Sequence, residues 1–358
     1  MLAWLSPTRE LIASALKAFF EEKKPQLARV NPFGSDLSDR LLEFALQGKM
    51  IRGCLVPLGG ALCGGEPVTA GARAPAILAG AAMELFQSGL LVHDDIMDRD
   101  VKRRGKASIF QQYADVASRE KNADPPHAGQ ALGICAGDVA YFLAFELLGR
   151  LNVAPTVLGP ALSLCASELS AVGIAQMQDV AWAGSRGKVE EEEILRMYTY
   201  KTARYSFSLP LMLGGMIAGA APDRLSDLES LGQSLGLLFQ IRDDELGLFG
   251  SEEELGKPVG SDVREGKKTL YYAGLMGSAD RKERGRLQEI FGSRDGSEQD
   301  LAYVRGLADS LGVISRVGAI VLAIEERARS AIQRIQPARE EDTNALLSLL
   351  DYTMARRQ

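Results

Sequence analysis

Cysteine is sparse and unpatterned in this chain. The four residues, Cys54, Cys63, Cys135 and Cys165, lie in apolar or glycine-rich company, and none forms a CxxC pair. Buried free thiols in a reducing compartment are expected, rather than a disulfide framework or a zinc site. A basic excess is missing too. The net charge of −6 excludes the electrostatic footprint of a nucleic-acid binder. Alternating apolar and polar positions are almost absent, as is any glycine-rich strand–turn–helix, which removes most β and α/β folds. Residues 1–7 lack a basic segment followed by an apolar one, so no signal peptide is expected. The longest uncharged run, between Arg204 and Asp223, is broken by Pro210, Gly214, Gly215 and Gly219. A packed core helix explains it better than a membrane span. A cytoplasmic protein without a span is expected.

Hydrophobic residues make up 46% and charged residues 25%, enough for a large core. Helical periodicity covers 8–24, ending at Pro25, then about 37–46, 70–98, 130–149, 155–182, 189–220, 223–247 and 265–292. It continues at 298–311, 313–335 and 339–355. Residues 115–128, polar and carrying Pro125-Pro126, read as a loop. No break in composition separates two cores. The expectation is an all-α, single-domain multi-helix bundle spanning 1–358 around a central cavity.

The stretch Leu90-Leu91-Val92-His93-Asp94-Asp95-Ile96-Met97-Asp98 ends an apolar helix in three carboxylates. Asp94 and Asp98, four residues apart, share a helix face, where like charges destabilise. A hard divalent cation such as Mg²⁺ would relieve them, since it takes oxygen ligands and completes its shell with water or phosphate. A solvated acidic face explains one such cluster equally well. A second helix with the same ending, Gln240-Ile241-Arg242-Asp243-Asp244, shifts the balance towards a carboxylate-walled site inside a bundle. Cations accompany both: Lys49, Arg52, Arg103, Arg104, Lys201, Lys257, Lys267 and Lys268. Arginine forks and lysine point charges bind phosphates, so polyphosphate ligands held partly through metal fit this set.

In order, Gly48-Lys49-Met50-Ile51-Arg52, Asp94-Asp95-Ile96-Met97-Asp98, Arg103-Arg104-Gly105, Ala136-Gly137-Asp138 and Gln176-Met177-Gln178-Asp179 resemble motifs of the trans-type isoprenyl diphosphate synthases. So do Lys201-Thr202, Phe239-Gln240-Ile241-Arg242-Asp243-Asp244, Gly256-Lys257-Pro258 and Asp262 through Thr269. The resemblance implies three Mg²⁺ ions, or Mn²⁺, linking an allylic diphosphate (dimethylallyl, geranyl or farnesyl) to Asp94, Asp98 and Asp243. Asp95 and Asp244 would support the metal shell. Arg103, Lys201, Lys257 and Lys267 would hold the allylic diphosphate, and Lys49, Arg52, Gln87 and Arg104 that of isopentenyl diphosphate. Gln240, Thr202 and the Lys201 carbonyl would offer oxygen dipoles to an allylic cation. A homodimer is also implied.

Some positions depart from the family pattern. Gly247 stands where many members carry a third aspartate, Gln47 replaces a glycine, and Gly53 replaces a common proline. Product length should be set along the helix behind Asp94. Leu90 and Gly89 lie about 6–7.5 Å down its axis and Phe86 about 12 Å down. Members that stop at fifteen carbons often carry an aromatic ring at the position of Leu90 or Gly89; Gly89 should leave room, and Phe86 is the candidate floor of a twenty-carbon pocket. The expected product is geranylgeranyl diphosphate or a farnesyl/geranylgeranyl mixture. A longer-chain synthase, a non-catalytic regulatory subunit and a terpene cyclase are the alternatives. Retained aspartates argue against the regulatory subunit, and a second diphosphate site argues against the cyclase.

Overall fold

The structure, a computed structural model, describes residues 4–65, 71–183, 185, 187–250, 260–293, 295–337 and 339–355. The described residues are helical apart from short connections and one two-stranded hairpin, as the expected all-α class requires. Contacts divide the chain into two compact units, Met1–Leu164 with Pro210–Leu225 and Cys165–Leu209 with Ser226–Gln358.

In the first unit α1 (Leu5–Ala28) buries Ile12, Ala15, Leu16, Phe19 and Phe20, the stripe its periodicity predicts. The helix does not stop at Pro25. That proline sits in the last turn, where little helical ladder remains for it to interrupt. Helix α2 (Pro32–Leu46) starts earlier than expected, because Asn31 caps it and accepts the Phe33 N–H at 2.9 Å. Helix α3 (Ile51–Leu62) packs on α4 (Pro75–Asp98) through two glycines. A Cβ at Gly53 would lie 2.8 Å from the Gly80 carbonyl oxygen, and one at Gly80 2.5 Å from that of Gly53. The two backbones can approach only without those side chains.

A hairpin of β1 (Lys102–Arg103) and β2 (Lys106–Ala107) follows. Then come α5 (Ile109–Arg119) and α6 (Pro125–Gly149), so the loop expected at 115–128 shrinks to 120–124. Pro125 and Pro126 open α6 instead of breaking it: a first turn needs no proline N–H, and Asp124 accepts from His127 N at 3.2 Å. α4 packs mainly on α6, then on α3 and α1.

Helix α7 (Pro155–Ala183) matches its expected span. The helix expected over 189–220 is three pieces: α8 (Glu191–Tyr198), a π-helix (Thr199–Ser208) and α9 (Leu209–Ile217). Within the second unit, α10 (Pro222–Phe249) lies against the π-helix through Gly232 at Ser208 and Gly236 at Ala203. The helix expected over 265–292 is also divided, into α11 (Ser261–Glu265), α12 (Leu270–Ser278) and α13 (Arg281–Ile290). Gly266, at φ 72°, ends α11; the Thr269 side chain caps α12; and Asp280 and Glu283 form a capping box on α13. Helices α14 (Glu298–Ser310), α15 (Val313–Ile335) and α16 (Glu340–Met354) complete the chain close to their expected bounds.

Cys54 and Cys165 are buried thiols, as expected, but Cys63 is half-buried and Cys135 is exposed; none is in a disulfide. Among the described residues α4, α6 and α7 are long and apolar enough to cross a membrane. The share of each apolar window that is buried within the protein falls from 67% to 44% to 22% along that series.

Candidate active site

On α4 the half-buried positions Gln87, Leu90, Leu91, Asp94 and Asp98 recur every three or four residues and form one stripe. Asp95, though expected on the metal side, faces inward and is fully buried. Arg103 Nε donates to Asp95 Oδ1 at 2.6 Å, and Arg103 Nη2 lies 3.3 Å from Asp100 and 3.6 Å from Asp94. Burial pushes the Asp95 carboxyl up to about 6 against the pull of Arg103. Its Oδ2 has no hydrogen-bond partner among the described residues.

The hairpin explains why two adjacent arginines serve different places. Arg104 and Gly105 form its turn, both with positive φ (53° and 77°), the geometry a two-residue hairpin needs. Holding a non-glycine residue there costs about 1 kcal/mol. Arg103 goes to Asp95. Arg104 turns to the end of α2, with its guanidinium 6.0 Å from the Phe44 ring centre and resting on Gly48. Burial lowers the Arg104 pKa, and nearby Glu84 opposes that shift.

Glu84, which sequence analysis did not single out, is a buried carboxylate accepting the Gly53 N–H at 2.8 Å. Burial raises its pKa; the Gly53 N–H and then the charges of Arg52 and Arg104 lower it. It thereby ties the start of α3 to α4, one helical turn before Gln87. Lys49 is exposed and Arg52 half-buried in the same stretch, where Met50 has φ 54°. Lys49, Arg52, Arg104 and Gln87 therefore all belong to the first unit.

In the second unit the aspartate doublet splits in the same way: Asp243 is exposed and Asp244 buried. The buried Tyr198 hydroxyl donates to Asp244 Oδ2 and accepts the Leu270 N–H at 3.3 Å. Gln240 Nε2 donates to Asp244 Oδ1 at 2.8 Å, and Thr202 Oγ1 donates to Gln240 Oε1 at 2.8 Å. The Gln240 carbonyl, expected to face a cation, is thus occupied by the Thr202 hydroxyl. Lys201 is ion-paired with Asp179. Both Lys201 and Thr202 lie in the π-helix, whose wider turn re-aims side chains and recurs at functional sites.

The missing third aspartate has a physical counterpart. A Cβ at Gly247 would run into the carboxylate of Asp262, so another acid already takes that space. Asp244, Asp262 and Lys267 line a small recess with Thr269, Tyr271 and Phe291. Burial first, then the charge of Asp262, raises the Asp244 pKa. Lys267 also pairs with Glu265 at 3.0 Å. Lys257 lies outside the described residues.

The product-length candidates fare unequally. Leu90 keeps open surface on the aspartate stripe, whereas Phe86 and Gly89 are buried. Phe86 meets Phe145 of α6 edge-on at 4.9 Å between ring centres. The room expected at Gly89 is filled by Tyr141, whose Cε1 would lie 2.7 Å from an added Cβ.

A helical fold with two acidic helix ends, each accompanied by cationic groups, suits polyphosphate ligands held partly through metal. Residues 36–307 match the polyprenyl synthetase family. The chain is 33% identical over 310 residues to the short chain isoprenyl diphosphate synthase of Methanothermobacter thermautotrophicus, covering 86% of each. It is 31% identical over 319 residues to the geranylgeranyl diphosphate synthase of Sulfolobus acidocaldarius, covering 88% of this chain and 89% of that one. Among solved structures it is similar to the geranylgeranyl pyrophosphate synthase of Corynebacterium glutamicum complexed with isoprenyl diphosphate and magnesium. That match has a TM-score of 0.89 and 26% identity, over 98% of this chain and 99% of that one. The chain belongs to the polyprenyl synthetase family. It is a trans-prenyltransferase.

Proposed function

We propose that the protein joins isopentenyl diphosphate head-to-tail and in the E configuration to an allylic diphosphate, giving geranylgeranyl diphosphate or a farnesyl/geranylgeranyl mixture. One observation carries the site assignment: each aspartate doublet turns its first carboxylate outward and buries its second. The outward residues, Asp94 with Asp98 and Asp243, are the metal ligands in this reading. The buried residues, Asp95 and Asp244, hold their surroundings in place through Arg103 and through Tyr198 and Gln240.

The donor set fits magnesium. It is oxygen only, and among the described residues no three His, Cys, Asp or Glu side chains converge as a ready-made cage. Mg²⁺ commonly takes one or two carboxylates and leaves its other positions to water and phosphate. Three such ions, or Mn²⁺, would supply positive charge to the departing diphosphate. Lys201, Arg103, Lys267 and Lys257 bind the allylic diphosphate, with Lys201 exchanging Asp179 for it. Lys49, Arg52, Arg104 and Gln87 bind the second diphosphate. The Thr202 hydroxyl oxygen and the Lys201 carbonyl face the allylic cation without trapping it. The isopentenyl double bond attacks that cation, and the released diphosphate takes the proton lost.

Residues 1–358 act as one domain in this reading, supported by a family match that runs through both units. Ile134 and Phe142 on α6, and Ile174, Met177 and Val180 on α7, are exposed large apolar side chains. A second copy of the chain, in the cytoplasm, covers them. Lipid suits α7 poorly, because Glu168 and Asp179 lie along it and pair with Arg204 and Lys201.

The test is incubation of purified protein with Mg²⁺, isopentenyl diphosphate and each allylic primer, followed by sizing of products. No elongated product would sink the proposal. Asp94→Ala and Asp243→Ala should each lose about a hundredfold or more in turnover. Neither should lower the melting temperature much, since each removes a crowded carboxylate.

A further inference from the structure

Helices α4 and α6 meet along a regular antiparallel ladder. A Cβ at Gly133 would lie 2.8 Å from Ile96 Cδ1, and one at Gly137 would collide with the His93 ring. At the next rung the roles reverse: the glycine is Gly89 on α4, and the large side chain is Tyr141 on α6. The following rung carries rings on both sides, Phe86 against Phe145. The space beside α4, empty of aromatics at 89 and 90 in the sequence, is therefore furnished by its neighbour.

Tyr141 is not sealed inside the ladder. It is half-buried, as is Phe145 one turn on, so both rings keep open surface. The Tyr141 ring stands edge-on to His93 at 5.5 Å, next to the aspartates. Burial raises its pKa first, then the negative charges of Asp138 and Asp94, which places the phenol at the carboxylate end of the stripe. Gly89 is about 7.5 Å along the helix from Asp94 and Phe86 about 12 Å. Successive α6 rings are four residues apart, about 6 Å, a step comparable with one added five-carbon unit.

We propose that Tyr141, reaching over Gly89 from α6, sets product length, and that Phe145 is the next stop behind it. Phe86 then acts as backing for Phe145 and is not itself the floor. Gly89 is required because any side chain there would push the Tyr141 ring away. The inference rests on prenyl elongation being the reaction.

The experiment sizes the products of wild type, Tyr141→Phe, Tyr141→Ala and Tyr141→Ala/Phe145→Ala with isopentenyl diphosphate and dimethylallyl diphosphate. Tyr141→Phe keeps the ring and should match wild type. Tyr141→Ala should raise the share of products at least one unit longer about tenfold, the scale at which pocket volume discriminates. The double variant should lengthen them again. An unchanged distribution from Tyr141→Ala, with melting showing it folded, overturns the inference while wild-type elongation still stands. No product from wild type removes the underlying reaction instead. If Tyr141→Ala does not fold, Tyr141→Leu serves in its place: a shift towards longer products supports the role, and an unchanged distribution overturns it.

Discussion

At the scale of the residue, the site works by pairing an open acid with a closed one. Asp95 and Asp244 are adjacent in sequence to the acids expected to meet metal, yet each is committed to a protein partner. Gly247 shows the same economy of space. Motif comparison presents it as a lost ligand, whereas the carboxylate of Asp262 occupies the place a side chain there would enter. Gly247→Asp should therefore not repair the motif. It should push Asp262 aside, set two carboxylates together, and lower stability by about 1–3 kcal/mol, as overpacking does. Thermal melting and the Mg²⁺ dependence of turnover check this. Tighter Mg²⁺ activation would show that position 247 was simply vacant. The doublets themselves were legible from sequence, but their division into open and buried members was not. That division depends on partners such as Tyr198, 46 residues before Asp244, and no spacing rule links such a pair. Glu84 and Tyr141 went unnoticed for the same reason. A single acid or ring in an apolar helix reads as core until its neighbour across the packing is known.

At the scale of the element, helices were read best where the chain itself marks them. Pro155, Pro222 and Val313 open helices within a residue of the expected places. Proline misled where its position within the helix matters: Pro25 lies in a last turn, and Pro125-Pro126 in a first. The segment over 265–292 read as one helix because its apolar spacing survives two interruptions, which only Gly266 and Asp280 betray. The hairpin escaped notice altogether, since two residues per strand leave no pattern to find. Yet it sends Arg103 and Arg104 to separate tasks. Gly105 has φ 77° and nothing within 4 Å of an added Cβ, so its requirement is conformational and not steric. Gly105→Val should destabilise the turn by about 1–2 kcal/mol. It should raise KM for both diphosphate substrates together, by about tenfold each. Steady-state kinetics with each substrate varied in turn check this; a change confined to one KM would mean the two arginines are placed independently.

At the scale of the whole molecule, the proposed second copy would have to cover exposed apolar side chains on α6 and on α7. Phe142 is 72% exposed and Met177 73%, values unusual for side chains of that size. Phe142→Asp should convert the proposed dimer to monomer in sedimentation. The Tyr141 ring, only one residue away in the same helix, should keep its place, so any activity left in the monomer should yield products of wild-type length. A monomeric wild type would overturn the proposed dimer. The all-α class was legible because apolar residues recur at helical spacing through most of the chain. The division of contacts into two units was not, since the chain crosses between them within the helical stretches at 164–165, 209–210 and 225–226, where composition does not change.

The π-helix over Thr199–Ser208 has a consequence of another kind. Each of its turns holds more residues than an α-helical turn, and one extra residue is worth about 100° of rotation in an α-helix. The segment therefore acts as a phase shifter. A face traced through α8 is not kept along the π-helix, although the apolar rhythm in the sequence runs on without a break.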